Sequence, residues 1–424
     1  MKVLIIGYVW PEPESSAAGL RSWNLIDSFT SFGWDITFAS ASKGNSYADR
    51  LSEKKIRIQS ILLNDKSFDE FVRQLQPDFV IFDRFVTEEQ FGWRVKENCP
   101  SAVRVLDTQD LHFLRHGRED AIRSGMSVAE VAACEFDLET EMALRELGSI
   151  HRCDGTLVLS SFERDLLVNR FHISEKKLLL YRFQYDPPLS DLNPPFSERR
   201  DFVMIGNYRH RPNQDAITWL RNEIWPLIKK RLPQELSHLR VHCVGAYPTK
   251  ELMDLSLPGD GFYVLGPVKN QFDTLRNYRL NLAPLRFGAG IKGKISDAWW
   301  SGTPTLSTPI GFEGMTELTD NPIWNDLVAT NPQEFADRAI ELYTNEEKWL
   351  RARDMGISIL QKDYSKEANF PRLRDYLLKL RTDNSSVGGD IAQKCFEFHL
   401  HRSTKYFSKW IEQKTLMQEP IKKA

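Results

Sequence analysis

The chain has 424 residues, which at about 150 residues per domain allows two or three domains with cores of their own. Lys and Arg number 56 against 58 Asp and Glu, so the net charge is −2; this excludes nucleic-acid binding through overall charge and leaves only a local basic patch. With 41% hydrophobic and 27% charged residues, the composition is globular and excludes collagen, coiled coil and wholesale disorder.

Val3–Ile6 is an apolar run ending at Gly7, the pattern of a parallel strand buried on both faces. The opening segment Met1–Gly7 is too short for a signal peptide, and no small-residue cleavage site follows it. A loop with Pro11, Pro13, Ser15, Ser16 and Gly19 leads into a helix running to about Phe32, which Gly33 ends. Asp35–Ser40 resumes as a strand, completing a βαβ unit of an open α/β sheet. Further strands are expected at Phe79–Phe82, Ala102–Leu106 and Thr156–Leu159. Val128–Leu147 predicts one long amphipathic helix stopped by Gly148, and Ser160-x-x-Glu163 reads as a capping box.

Pro187, Pro188, Pro194 and Pro195 cannot sit in a helix or a central strand and read as a linker between domains. A second βα series follows at once. Its strands are Phe202–Gly206, Leu239–Val244, Tyr263–Leu265, Leu280–Ala283 and Thr305–Thr308. Its helices are expected at about Asn213–Lys230, Lys292–Ser301, 333–345, 347–360 and 370–381. Thr382–Gly389 reads as a flexible joint. From Cys395 onward six Lys/Arg and three Asp/Glu mix with Phe396, Phe398, Tyr406, Phe407 and Trp410. That is an amphipathic helix for the protein's own surface, for a membrane surface or for a partner.

No run reaches the ~18 apolar residues of a bilayer span. The five cysteines form no C-x-x-C pair, so neither a disulfide framework nor a zinc site is suggested, and a reducing, cytoplasmic setting is expected.

Ligands of open α/β sheets bind beyond the carboxyl ends of the strands. The richest such loop runs from Pro284 to Pro304. Gly288 and Gly290 let the backbone approach a ligand closely. The helix after Ile291 presents free N–H groups and the positive end of its dipole, with Arg286, Lys292 and Lys294 nearby. Lys294 and Asp297 are three apart and share a helix face. This layout suits a diphosphate near the lysines and a sugar hydroxyl near the carboxylate. Spacing alone equally allows a tight turn with solvated lysines.

The string Pro284 to Gly314, with Gly302-Thr303-Pro304-Thr305 and Thr308-Pro309-Ile310-Gly311-Phe312-Glu313-Gly314, resembles the donor-binding half of GT-B glycosyltransferases. More narrowly, it is similar to the retaining group called family 4, with its G-x-G-x-x-x-K-x-x-E-A-x-x-x-G-x-P-x-x-x-T pattern. Ile205-Gly206-Asn207-Tyr208, Pro212-Asn213, Val244-Gly245 and Leu265-Gly266-Pro267-Val268 extend the resemblance, which covers about 202–360 well and the N-terminal half more weakly. It implies two Rossmann-like domains facing across a cleft, and sugar transfer from a nucleoside diphosphate sugar with retention. Lys294 matches the lysine that contacts donor phosphate, and Lys292 occupies a position often basic in the group. Asp297 matches the second acid of an E-x7-E motif that binds the donor ribose. The first acid would fall at Ala289, a departure, and Asp for Glu at 297 is another. In similar subgroups the backbone of the Gly288-Ala289-Gly290 turn faces the donor sugar instead, and Ile291 after it is counted with the donor-binding residues. Glu313 is counted with the donor-binding residues, its role open.

In the N-terminal half, Ser15–Arg21 opens a helix whose amides can hold donor phosphate, with Gly19 and Arg21 as the residues of interest; a plain helix start with Arg21 solvated is the alternative. Asp107-Thr108-Gln109-Asp110-Leu111-His112 follows a buried strand and gathers acids and a histidine at its carboxyl end. By resemblance this is the histidine-bearing loop near the donor sugar and acceptor, so His112 and Asp110 are the catalytic candidates.

No Asp-x-Asp occurs, and His399-x-His401 does not share a helix face, so no metal or further cofactor is expected. The reading is therefore an N-terminal acceptor-side domain over 1–190 and a nucleotide-sugar domain over 196–365. A helix over 366–385 crosses back, and a basic aromatic tail covers 386–424, with peripheral membrane contact as its further role. The partners are a nucleotide sugar and a glycan, lipid-linked or protein acceptor. A nucleotide-sugar epimerase of the same fold stays open. So does a binding scaffold that has lost catalysis, for which Ala289 is the motive.

Overall fold

A computed structural model describes residues 1–14, 16–44, 46–134, 136–187, 193–317, 322–385 and 391–418. Two sheets organise it. The first holds β1 (Lys2–Gly7), β2 (Asp35–Ser40), β3 (Arg57–Ser60), β4 (Phe79–Asp83), β5 (Val103–Asp107), β6 (Gly155–Val158) and β7 (Leu178–Leu180), in the order β3-β2-β1-β4-β5-β6-β7. The second holds β8 (Arg200–Ile205), β9 (Val241–Val244), β10 (Phe262–Leu265), β11 (Tyr278–Ala283) and β12 (Thr305–Ser307), in the order β10-β9-β8-β11-β12. The strand pairings are parallel throughout. Helices cover the sheet faces, which is why central strands such as Val3–Ile6 are apolar on both sides. Strand order reverses at β1/β4 and at β8/β11, and the loops leaving these points diverge into crevices.

Two expected helices are broken. The 128–147 stretch forms Val128–Ala132 and then Glu141–Arg152. Cys134, in the left-handed region at φ 56°, ends the first, and the Thr140 side chain caps the second by accepting the Ala143 amide. Gly148 stops nothing: it lies buried within the second helix, where packing on neighbouring helices outweighs its intrinsic preference. The 213–230 stretch forms Arg211–Trp219 and Trp225–Arg231 with a wide π turn at Leu220–Ile224 between them. Pro226, which has no N–H to give the preceding turn, accounts for the break.

The helix Lys366–Ser385 returns from the second unit to the first. Leu373 and Leu377 are fully buried in the core that includes Val103, Val105 and Leu157. The Tyr376 hydroxyl donates to the Lys177 carbonyl at 2.7 Å and accepts the Thr156 amide at 3.2 Å. The helix Ile391–Gln418 docks against Arg84–Asn98 and Glu141–Arg152. Residues 188–192 of the proline-rich linker, 386–389 of the expected joint and the last six residues of the tail lie outside the described residues.

The returning helix is thus part of the N-terminal core. Leu377→Ala should destabilise the full chain by about 2–5 kcal/mol, the cost of a buried Leu-to-Ala cavity. Denaturant unfolding, compared with an alanine at exposed Lys379, measures it.

Candidate active site

The carboxyl ends of both sheets face one cavity of about 490 Å³, within the size range of small-molecule sites. From the N-terminal side it is lined by Ser16, Ala17 and Leu20, at the start of the helix Ala17–Ser31. From the other side it is lined by Gly206, Asn207, His210 and Asn213 after β8, by Gly245 and Ala246 after β9, and by Val268 to Phe272. Leu285 to Lys294 (without Arg286 and Gly290) and Asp297 complete it. Ala17 lies 3.4 Å from where a side chain at Gly293 would begin, so the starts of two helices, Ala17–Ser31 and Gly293–Trp300, meet across the cavity. First-turn amides have no acceptor within their own helix, so both helices turn the positive ends of their dipoles on one space.

The charged groups here are held away from their usual protonation. Burial, with Lys292 beside it, lowers Lys294 to a pKa of about 7, and its ammonium donates to Asn213 Oδ1. Burial likewise lowers Lys292 to about 8, and its ammonium donates to the Gly290 carbonyl at 2.6 Å. Burial raises Asp297 to about 7; its two oxygens accept from the Tyr185 hydroxyl at 2.6 Å and from Gln271 Nε2 at 3.0 Å. Gly288, Ile291, Lys292, Lys294 and Asp297 therefore all stand at the cavity, as the motif spacing suggests.

Gly290 has a different role. At φ 64° it adopts a conformation that disfavours side chains, and a Cβ there would lie 3.0 Å from Asp110 Cβ. Its amide donates to Glu163 Oε1 at 2.8 Å, and the same oxygen accepts the Leu111 amide at 2.8 Å. Ser160 does cap the helix Ser161–Asn169, but Glu163 does not reach back to complete the capping box. It bridges the Gly-rich turn of one unit and the His112 loop of the other. Its second oxygen is buried without a hydrogen-bond partner, and burial, then Asp110, raises its pKa to about 7. A second buried acid, Glu146, accepts the Phe113 amide at 3.1 Å. The N-terminus of the helix His112–Arg123 is thus occupied by the protein's own carboxylates.

His112 Nε2 lies 3.3 Å from Asp110 Oδ1. Burial would raise the Asp110 carboxyl, but Arg115 and His112 outweigh it and hold it well below the usual range. Neither His112 nor Asp110 lines the cavity itself; Asp110 packs against Gly290. The preceding residue, Gln109, takes φ 63° and donates Nε2 to both Asp83 and Asp107 at 3.0 Å. A non-glycine residue in that region at a strand's carboxyl end is strained backbone of the kind that collects at functional sites.

Four other candidates are engaged elsewhere. Arg21 is fully buried, paired with Asp107 at 2.9 Å and donating to the Tyr181 and Arg182 carbonyls, so it ties helix to sheet instead of facing solvent or phosphate. Gly19 is a close-packing position: a Cβ there would lie 2.2 Å from the Glu12 carbonyl oxygen, and Ser16, Ala17 and Leu20 face the cavity in its place. Arg286 forks onto Asp215 and lies over the Trp219 ring. Glu313 gives both oxygens to Arg118, at 2.8 and 2.6 Å. Arg118 also donates to the Gly288 carbonyl at 2.8 Å, a second buried clasp between the units. Gly314, at φ 66°, completes the contact: a Cβ there would lie 1.9 Å from Ser160 Oγ. Sequence reasoning missed Glu163, Arg118, Asn213, Tyr185 and Gln271, whose partners lie 26 to 195 residues away.

Residues 199–345 match the family model described as glycosyl transferases group 1. No curated protein matches the sequence. Among solved structures, a TarM variant of S. aureus superposes with a TM-score of 0.67 at 10% identity, over 89% of this chain and 99% of that one. HepE of Anabaena gives 0.64 at 13% identity, over 89% and 100%. Sucrose-phosphate synthase of Thermosynechococcus elongatus gives 0.63 at 12% identity, over 90% and 99%. The fold is GT-B, two facing α/β units, across nearly the whole chain.

The Glu163 bridge can be separated from its charge. Glu163→Ala strands two amides and should cost roughly 1–3 kcal/mol for each, whereas Glu163→Gln keeps an acceptor oxygen. Because the folded pKa of about 7 lies above the ordinary 4.5, the wild type loses stability as pH rises from about 4.5 to 7. The glutamine variant should lack that slope and gain on the wild type by up to ~3 kcal/mol above pH 7. Denaturant unfolding at pH 5 and pH 8 checks both; identical slopes in the two proteins would refute the assignment.

Proposed function

We propose that the protein is a glycosyltransferase that moves a sugar from a nucleoside diphosphate sugar to an acceptor, with retention and without a divalent metal. One observation carries this reading: two helix starts and two buried lysines converge on a single cavity that also holds a buried carboxylate. A diphosphate is the anion that these groups suit. Lys294 and Lys292 with the helix amides offset charge on the leaving diphosphate, and Asp297 takes a ribose hydroxyl in place of Tyr185 or Gln271. The acceptor enters from the N-terminal unit, where His112 and Asp110 stand behind the Gly-rich turn. Closure across the Glu163 and Arg118 contacts excludes water and protects the donor from hydrolysis.

Support for the nucleotide comes from the solved relatives. TarM is crystallised with UDP, and HepE with UDP and with UDP-glucose, so UDP is the first ligand to titrate. The acceptor is a glycan, a lipid-linked saccharide or a protein. The setting is cytoplasmic, with the C-terminal helix in peripheral contact with a membrane. Among the described residues no helix is long and apolar enough to cross one. Ala289 favours a second reading, a nucleotide-sugar-binding scaffold without turnover, because the turn has no acidic side chain for the sugar.

Calorimetric titration with UDP, GDP and ADP, with magnesium and with chelator, tests the reading. One nucleotide should bind selectively and survive chelation; absence of binding to all three would overturn it. Release of nucleotide from the sugar donor then separates a transferase from a scaffold. Lys294→Ala should weaken the bound nucleotide by about 1.5–3 kcal/mol, the range for hydrogen bonds to charged groups.

The lysine also sets a pH dependence. A diphosphate raises the pKa of Lys294 above its unliganded value of about 7, so binding takes up a proton above pH 7. Affinity should fall as pH rises above 7, by up to tenfold per unit, and more steeply above about 8 where Lys292 also loses its proton. Calorimetry at pH 8 in two buffers of different ionisation enthalpy should report that uptake, and Lys294→Ala should reduce it to the share of Lys292, whose own pKa is about 8.

A further inference from the structure

The helix Ile391–Gln418 spends its two faces unequally. Both of its acids turn inward. Glu397 pairs with Arg104 at 2.7 Å and lies 3.6 Å from Lys96; Glu412 lies 3.6 Å from Arg94. Ser408 is buried on the same side and accepts from Arg94 at 3.1 Å. The outward side carries large rings. Tyr406 is 65% exposed, Trp410 57%, Phe407 62% and Met417 73%. At 3.6 residues per turn Tyr406, Trp410 and Met417 fall within an arc of about 40°, a single ridge along the helix. Lys409 lies about 60° to one side of that ridge, and Lys414 and Phe407 flank the other. The Lys414 ammonium reaches over the Trp410 ring at 5.2 Å, and Phe407 stacks on Trp410 at 6.0 Å.

We propose that this outer face of the C-terminal helix is a contact surface for an anionic lipid bilayer. The ridge is convex and aromatic, with lysines on both shoulders and no carboxylate among the described residues of that face. A planar anionic surface meets every part of it at once: the rings enter the headgroup region, where Trp and Tyr are favoured, and the lysine stems extend along them to lipid phosphates. A protein partner would need a concave, acid-lined groove of matching length. The inner face explains how the helix can present these rings without unfolding, because buried ion pairs fix its rotation. Its docking partners Arg104 and Asp154 lie at the amino-terminal ends of β5 and β6, the edge of the sheet away from the cavity. Attachment there leaves the cleft free to open and close.

This deepens the peripheral contact included in the proposed function and rests on that reading only for the choice of an anionic, cytoplasm-facing leaflet. The test needs no transfer assay, so the two can fail separately. The purified full chain is sedimented with phosphatidylcholine vesicles with and without phosphatidylglycerol, at low and high salt. The expected result is binding to the anionic vesicles only, lost at high salt. The pair Lys409→Gln and Lys414→Gln should weaken it roughly tenfold or more, as should the pair Tyr406→Ser and Trp410→Ser, with unchanged melting temperature and UDP affinity. Failure to bind anionic vesicles, equal binding to neutral ones, or unchanged binding by both variants would overturn the proposal. So would a concentration-dependent dimer in light scattering that these variants dissolve, which would assign the ridge to a second copy of the chain.

Discussion

One carboxylate oxygen, Glu163 Oε1, accepts an amide from each half of the site, and the geometry of the cavity depends on that shared acceptor. The units also share apolar packing, with Ala121, Val128, Val131, Leu159 and Phe183 of the first in one cluster with Leu285, Ile291, Ile310 and Phe312 of the second. Beside the cavity, buried polar contacts add to that packing: Glu163 to Gly290, and Arg118 to Gly288 and Glu313. Apolar packing of this kind costs free energy to expose. Polar groups regain hydrogen bonds from water when they part, so these contacts fix how the units meet and add less to the cost of parting them. Removing one partner of Arg118–Glu313 is a different matter, since it leaves a buried charge without its counterion, a change worth about 3–5 kcal/mol.

The same economy runs through the cavity. Lys292 and Lys294 are buried together; burial loosens the proton of each, and Lys292 loosens that of Lys294 further. Asp297, close by and equally enclosed, holds its proton more tightly than a free carboxylate. These groups direct their polarity to Gly290, Asn213, Tyr185 and Gln271. Such partners are neutral and replaceable. An anion entering between the two helix starts exchanges weak hydrogen bonds for charged ones, and the dipoles that meet it are already in place.

Local chemistry made much of this legible in the sequence. The apolar runs at Val3–Ile6 and Phe79–Phe82 read as buried parallel strands because helices on both faces leave no polar side. The spacing of Gly288, Gly290, Lys294 and Asp297 brought those residues to one loop and one helix face. The weak strands β3 and β7 escaped notice, since Arg57–Ser60 is mostly exposed and Leu178–Leu180 is only three residues long. The residues that hold the site were the hardest to read. Glu163 looks like half of a capping box, and only the fold shows its side chain turned to another domain. Arg21 and Glu313 were picked for charge at the right strand ends, yet their charges are consumed by Asp107 and Arg118. A charge's position along the chain says where it can reach, and the partner across the fold decides what it does.

Ala289 brings these strands of argument together. With no side-chain acid at that position, the turn from Gly288 to Ile291 offers a sugar only backbone polarity on its own account. Two of those backbone groups are already fixed, the Gly288 carbonyl by Arg118 and the Gly290 amide by Glu163. Both fixing residues come from the opposite unit. On the proposed reading, selection among sugars therefore passes from an individual side chain to the path of the turn, and that path is complete only when the two units are closed on each other. Recognition of the donor and closure of the cleft then become one equilibrium, with Glu163 and Arg118 as its shared terms.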